Sequence, residues 1–99
     1  MILLGISKYP MQSAKEVAKR VMEIPRLPDN IKGKGNYAYT TKEGSVGLVI
    51  YEFDSSKADE AIEQINGAYW RFYDVPGLSY ELIHCSKARD AAKRFLELS

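Results

Sequence analysis

The chain has one cysteine, Cys85, and one histidine, His84. A single cysteine excludes an internal disulfide and every multi-cysteine metal centre, which leaves Cys85 as a small, half-buried core residue. Neighbouring strand residues point to opposite faces, so His84 cannot activate Cys85 or Ser86 as a nucleophile. Nor does the sequence gather further metal ligands around that histidine, and no cofactor is expected. Neither charge sign dominates: 14 Lys and Arg against 13 Asp and Glu leave a formal charge of +1. That balance supplies no long-range attraction to nucleic acid or anionic lipid. No apolar run approaches the roughly 20 residues of a membrane span. The opening Ile2-Leu3-Leu4-Gly5-Ile6 lacks both the basic start and the length of a secretory leader. The expectation is a cytoplasmic protein with neither nucleic acid nor membrane as a partner.

What is present is an ordinary apolar share, 45%, in 99 residues, enough for one domain and too little for two. A domain this short buries about 60–70% of its unfolded surface, so covering one more apolar face by self-association would stabilise it. A strand is predicted over Ile2 to about Tyr9, closed by Pro10. Ser13 and Glu16 stand at capping-box spacing before Ala14, Val17, Ala18, Val21 and Met22, which share one helical face. Pro25 to Gly35 reads as the longest irregular segment. Tyr37–Thr41 and Val46–Phe53 read as two strands joined by a tight turn, hence an antiparallel hairpin. A second helix opens near Asp54-Ser55-Ser56 and carries Ala58, Ala61, Ile62, Ile65, Tyr69 and Phe72 on one stripe. Asn66-Gly67 lies inside it and costs about 1 kcal/mol relative to alanine, with the helix expected to continue past it, at most kinked. Leu78 to Cys85 is a fourth strand, and Ser86 caps a last helix with Ala88, Ala91, Ala92 and Phe95 on one side.

The order strand–helix–strand–strand–helix–strand is most economically one four-stranded antiparallel sheet with both helices on one face, an α+β domain of ferredoxin-like order with an extra C-terminal helix. Strands one and three, the most apolar, belong at the centre. Both are apolar on both faces, so both faces need cover, and two helices supply only one. The purely aliphatic set Ile2, Leu4, Ile6, Val46, Leu48 and Ile50 is assigned to the helix side. The set Leu3, Gly5, Ser7, Tyr9, Gly47, Val49, Tyr51 and Phe53 then faces outward. A second copy of the chain is the expected cover, with the C-terminal helix as the competitor; that helix is expected to pack on the domain.

With this order and these two-sided central strands, the chain resembles the dimeric α+β-barrel superfamily over roughly residues 1–85. The resemblance implies sheet-to-sheet dimers around a small-molecule pocket. That superfamily includes cofactor-free monooxygenases, small-molecule isomerases, haem-degrading enzymes, stress-response proteins and members of unknown role, and no motif here selects among them. The lack of a complete catalytic constellation favours a non-catalytic dimer that binds a small, largely apolar molecule between subunits over a cofactor-independent isomerase or monooxygenase. The asparagine that the haem-degrading members employ is replaced by Ser7, and the spacing of Trp70 and His84 departs from theirs.

Other families of the same shape fail on their own requirements. RNA-recognition domains stack bases on aromatics of both central strands; Tyr51 and Phe53 suit one strand, but Ile2–Ile6 has no aromatic. Ser7-Lys8-Tyr9-Pro10 offers neither the Cys-x-x-Cys of a copper chaperone nor the arginine and glycines of an acylphosphatase loop. A regulatory or nucleic-acid-binding module therefore ranks behind the binder and the enzyme. Lys32-Gly33-Lys34-Gly35 has ammonium groups and backbone amides that suit an anion, but not the spacing of a P-loop; it reads as a solvated loop. The candidate ligand-binding residues are Ser7, Tyr51, Trp70, Glu81 and His84. Glu81 is expected to share a face with Ser7 and Tyr51, beside a space left by Gly5 and Gly47, where desolvation would raise its pKa and suit it to acid–base work.

Overall fold

The computed structural model describes residues 1–98. Its elements are β1 (Ile2–Tyr9), α1 (Ala14–Val21), β2 (Lys32–Thr41), β3 (Gly44–Glu52), α2 (Ala58–Tyr69), β4 (Ser79–Cys85) and α3 (Ala88–Leu98). Single 3-10 turns lead into α1 and α2 and follow α2. The four strands form one antiparallel sheet in the order β2-β3-β1-β4. This is the ferredoxin-like arrangement with the two apolar strands central, followed by a C-terminal helix.

Helix starts are made differently from the capping-box expectation. Ser13 turns away from α1, and its hydroxyl donates to the Pro76 carbonyl at 2.7 Å, pinning the start of α1 to the turn before β4. Ahead of α2, the Asp54 carboxylate accepts from the Ser56 N–H at 3.0 Å and closes the 3-10 turn. That bond and a second from the Ser56 hydroxyl hold the Asp54 carboxyl below the usual carboxylate range. α2 runs unbroken through Gly67. The β2–β3 turn needs Gly44, whose φ of +141° and close approach to the Tyr9 carbonyl leave no room for a Cβ.

The largest difference from expectation is which face the helices cover. Leu3, Tyr51 and Phe53 are buried against Ala61 and Ile65 of α2, with Val49 and Leu82 packed beside them. Leu3 pairs with Tyr51, Gly5 with Val49, and Ser7 with Gly47 in register. The tyrosine- and glycine-bearing set is therefore the helix side. By alternation, Ile2, Leu4, Ile6, Leu48 and Ile50 lie on the other face, where they are only half-buried. A second buried cluster, Val17, Phe72 and Val75, holds α1 to the turn after α2.

Two further expectations change. β2 begins at Lys32, so the expected loop Lys32–Gly35 is the first part of an edge strand, with a register break between Gly33 and Gly35. α3 does not pack on the domain: Phe95 is 69% and Leu98 83% exposed. The smallest molecular dimension, 19 Å, is that of one sheet plus one helix layer, and the longest is 47 Å. α3 therefore leaves the open sheet face uncovered.

Candidate functional site

The helix side of the sheet is unusually low in side chains. Gly5 and Ser7 on β1, Gly47 on β3, and Gly33 and Ala38 on β2 all lie on it. α1, eight residues long, covers little of that floor. The outcome is a cavity of about 870 Å³ between α1, the end of α2 and the sheet. That volume is within the range of small-molecule pockets. Its deep wall comprises Val17, Val49, Tyr51, Tyr69 and Phe72, and exposed Ala18, Val21 and Met22 edge it on the α1 side.

The two central glycines act differently. A Cβ on Gly5 would lie 2.6 Å from Tyr69 Oη, so the missing side chain admits the tyrosine hydroxyl onto the sheet. A Cβ on Gly47 would meet only Ser7 Oγ, at 2.9 Å. The space above Gly47 stays open, and Ser7 Oγ beside it makes no hydrogen bond within the protein among the described residues.

Tyr51 Oη donates to Tyr69 Oη at 3.2 Å. The Tyr69 ring stacks on Tyr80 with centroids 4.4 Å apart, and Tyr80 Oη donates to Asn66 Oδ1 at 2.9 Å. α2 is thus locked to β3 and β4 by a chain of aromatic contacts ending in polar atoms. Burial pushes the Tyr51 hydroxyl well above the usual phenol range, and donation to Tyr69 adds to the effect. Tyr69 is also raised, because burial outweighs the hydrogen bond that it accepts. Both phenols are therefore neutral hydrogen-bonding groups at physiological pH.

α1 is tied down at its far end by Arg20. The guanidinium bonds Glu16 at 2.9 Å, the Arg71 carbonyl at 2.8 Å and the Asp74 carboxylate. Its hydrogen bond holds the Asp74 carboxyl below the usual range.

Of the residues singled out from the sequence, Ser7 and Tyr51 come together in this cavity, on the helix side of the sheet and within one subunit. Glu81 is opposite Ile6 and exposed, on the other face from Ser7. The β4 assignment holds, since Leu82 packs towards the helices, but the inverted faces of β1 and β3 separate Glu81 from Ser7. His84 pairs with Leu3 and is exposed on β4. Trp70 is 71% exposed and borders a separate depression on α2 with Asp59, Glu63 and Asn66. Among the described residues no group of His, Cys, Asp and Glu is placed to hold a metal ion, and no helix is long and apolar enough to cross a membrane.

Sequence reasoning missed Tyr69, read as part of the apolar stripe of the second helix, Lys34, read as lying on a solvated loop, and Asn36, which it did not single out. Pairing Gly47 with Ala38 across the hairpin would have revealed the low floor beneath them.

No family model matches the chain, and no curated protein matches it in sequence. Among solved structures it is similar to a formyltetrahydrofolate deformylase from Pseudomonas putida KT2440, at 13% identity and a TM-score of 0.49 over 97% of this chain. The chain spans 36% of that protein's length. It is also similar to a proposed antibiotic biosynthesis monooxygenase from Deinococcus radiodurans, at 11% identity and a TM-score of 0.49, covering 89% of this chain and 95% of that one. The fold assignment rests on strand order and register.

Proposed function

We propose that this protein binds a small, largely apolar molecule bearing a hydrogen-bonding group, in the cavity between its helices and its sheet. One observation carries the reading: the open space above Gly47, bordered by the unpartnered Ser7 Oγ in a mainly aliphatic and aromatic lining. A concave apolar wall supplies affinity, while a few polar atoms orient the guest. Binding fits the lining better than acid–base catalysis. Among the described residues no carboxylate or imidazole lines the cavity, and its deep phenols are held protonated. The test is a thermal-shift screen of small apolar alcohols, ketones and acids against the unmodified protein and Gly47→Leu, which fills the space. A guest at 100 times its Kd stabilises the folded state by about 2.7 kcal/mol. Compounds that shift the unmodified protein should not shift Gly47→Leu; equal shifts in both would place binding elsewhere.

A second reading, self-association, has its own observation. The uncovered sheet face carries Ile2, Leu4, Ile6, Leu48, Ile50 and Ile83 in adjoining register positions, with exposed Tyr37 and Tyr39 on the edge strand. That aliphatic strip over the two central strands and Ile83, rimmed by Glu52 and Glu81, has the pattern of a surface that meets a partner. A two-fold dimer with the sheets packed about 10 Å apart would bury it. In that dimer the binding cavities lie on the outer, helix side of each subunit. Light scattering at micromolar concentration decides between monomer and dimer.

A further inference from the structure

Resting on the binding reading above, we propose that the guest is a monoanion: an amphipathic acid whose apolar body fills the cavity and whose carboxylate meets Lys34 at the mouth. Among the described residues Lys34 is the one charged residue lining the cavity, and no acidic residue lines it. Among the described residues Lys34 makes no ion pair.

Its backbone position explains why it is uncompensated. Lys32, two residues earlier, stands opposite Glu52 in the β2–β3 register. At the break that follows, Gly33 pairs with Tyr51 and Gly35 with Ile50, so Lys34 has no cross-strand partner and no carboxylate opposite it. The flanking glycines keep this place accessible. A Cβ on Gly33 would meet nothing within 4 Å, and Gly35 leaves room for the Tyr37 ring. Asn36, next along the strand, also lines the cavity and adds an amide.

The lining thus combines exposed Lys34 and Asn36 on the β2 side with half-buried Val49 and Ser7 and buried Phe72. One cation without a counter-charge favours one negative charge on the guest, whereas a second would be left unpaired. A lysine acts as a point charge and does not demand planar bidentate geometry, so the selection is for charge. Because Lys34 is exposed, the preference is moderate and screened by salt.

The experiment titrates the full chain with 4-phenylbutyrate and with 4-phenylbutan-1-ol, which share an apolar body and differ in charge, following backbone amide NMR shifts. The acid is expected to bind roughly twofold to fivefold tighter at low ionic strength, and added salt to erase the difference. Lys34→Gln should bring the acid down to the alcohol's affinity, Lys34→Arg should keep the preference, and Lys34→Glu should reverse it. Equal binding of both probes, abolished for both by Gly47→Leu, overturns the anion inference and leaves the cavity reading standing. A preference that survives in Lys34→Gln overturns it too. If neither probe shifts the Ser7 and Gly47 amides, the cavity reading fails and takes this inference with it.

Discussion

The two faces of the sheet are made from the same strands and differ in every other respect. The helix-side face alternates bulky and absent side chains: Leu3, Gly5 and Ser7 along β1, and Tyr51, Val49 and Gly47 opposite them. Along β1 and β3 the open face has no such gaps, with Ile2, Leu4 and Ile6 opposite Glu52, Ile50 and Leu48. A layer with gaps cannot be close-packed by two short helices, and it holds a cavity where the gaps lie. An unbroken aliphatic strip suits another flat layer. The helices therefore cover the face that has room for a guest, and the face best suited to dry packing is left for a second subunit.

The sharpest way to break this contrast is Leu48→Glu, which places a carboxylate in the middle of the open face. In the proposed dimer each interface would receive two such groups, at several kcal/mol for each that stays unpaired. The expected outcome by light scattering is a monomer, against a dimer for the unmodified chain. An unmodified protein that is already monomeric removes the assignment of that face.

Ile65 is fully buried under the helix side, whereas Ile83 is 39% exposed on the open face. Ile65→Ala should cost about 2–5 kcal/mol in equilibrium denaturation through lost transfer energy and the residual cavity. Ile83→Ala, measured where the protein is monomeric, should stay within about 0.5 kcal/mol. Similar costs would mean that the open face is already covered within one subunit.

The tyrosines of the helix side give a pH test. Tyr51 and Tyr69 have folded pKa values raised above the unfolded value of about 10. Their contribution to stability is fully present below pH of about 10 and is lost as pH rises through the folded values, since the unfolded state releases those protons first. In an ultraviolet titration, these two of the seven tyrosines should ionise only as the protein unfolds. Tyr51→Phe should soften the alkaline loss. Ordinary ionisation of all seven near pH of about 10 would contradict their burial.

Element order and the central place of β1 and β3 were legible because periodicity and two-sided apolarity are properties of the segments themselves. Which face the helices cover was not. Both faces of those strands are apolar, and alternation carries no sign. The sign is set by fit, as where Tyr69 Oη occupies the space over Gly5. The cavity's floor was half visible: Ser7, Tyr51 and Gly47 were placed together by alternation, and they are together. Glu81 was attached to them by the choice of sign and stands on the opposite face. The first part of β2 was hidden by its composition, because Lys32-Gly33-Lys34-Gly35 has no strand propensity and is held by pairing with β3.

The smallest expected effect concerns α3, and it separates a property of the subunit from a property of the assembly. Every described residue of α3 except Ala91 is exposed, and Phe95 keeps 69% of its surface in water. Isolated helices of this length are marginal in water, so α3 gains little from its subunit. Removing residues 87–99 should therefore change the denaturation free energy of dilute, monomeric protein by less than about 0.5 kcal/mol. At concentrations where the protein self-associates, the same truncation has a second outcome to report. If Phe95 and Leu98 rest on a partner subunit, the midpoint of thermal unfolding falls on truncation, and the fall grows with concentration, because only the associated state loses contacts. A fall independent of concentration would instead mean that α3 packs on its own subunit, contrary to its exposure. An unchanged midpoint at all concentrations confines the dimer contact to the sheet face and leaves α3 outside it.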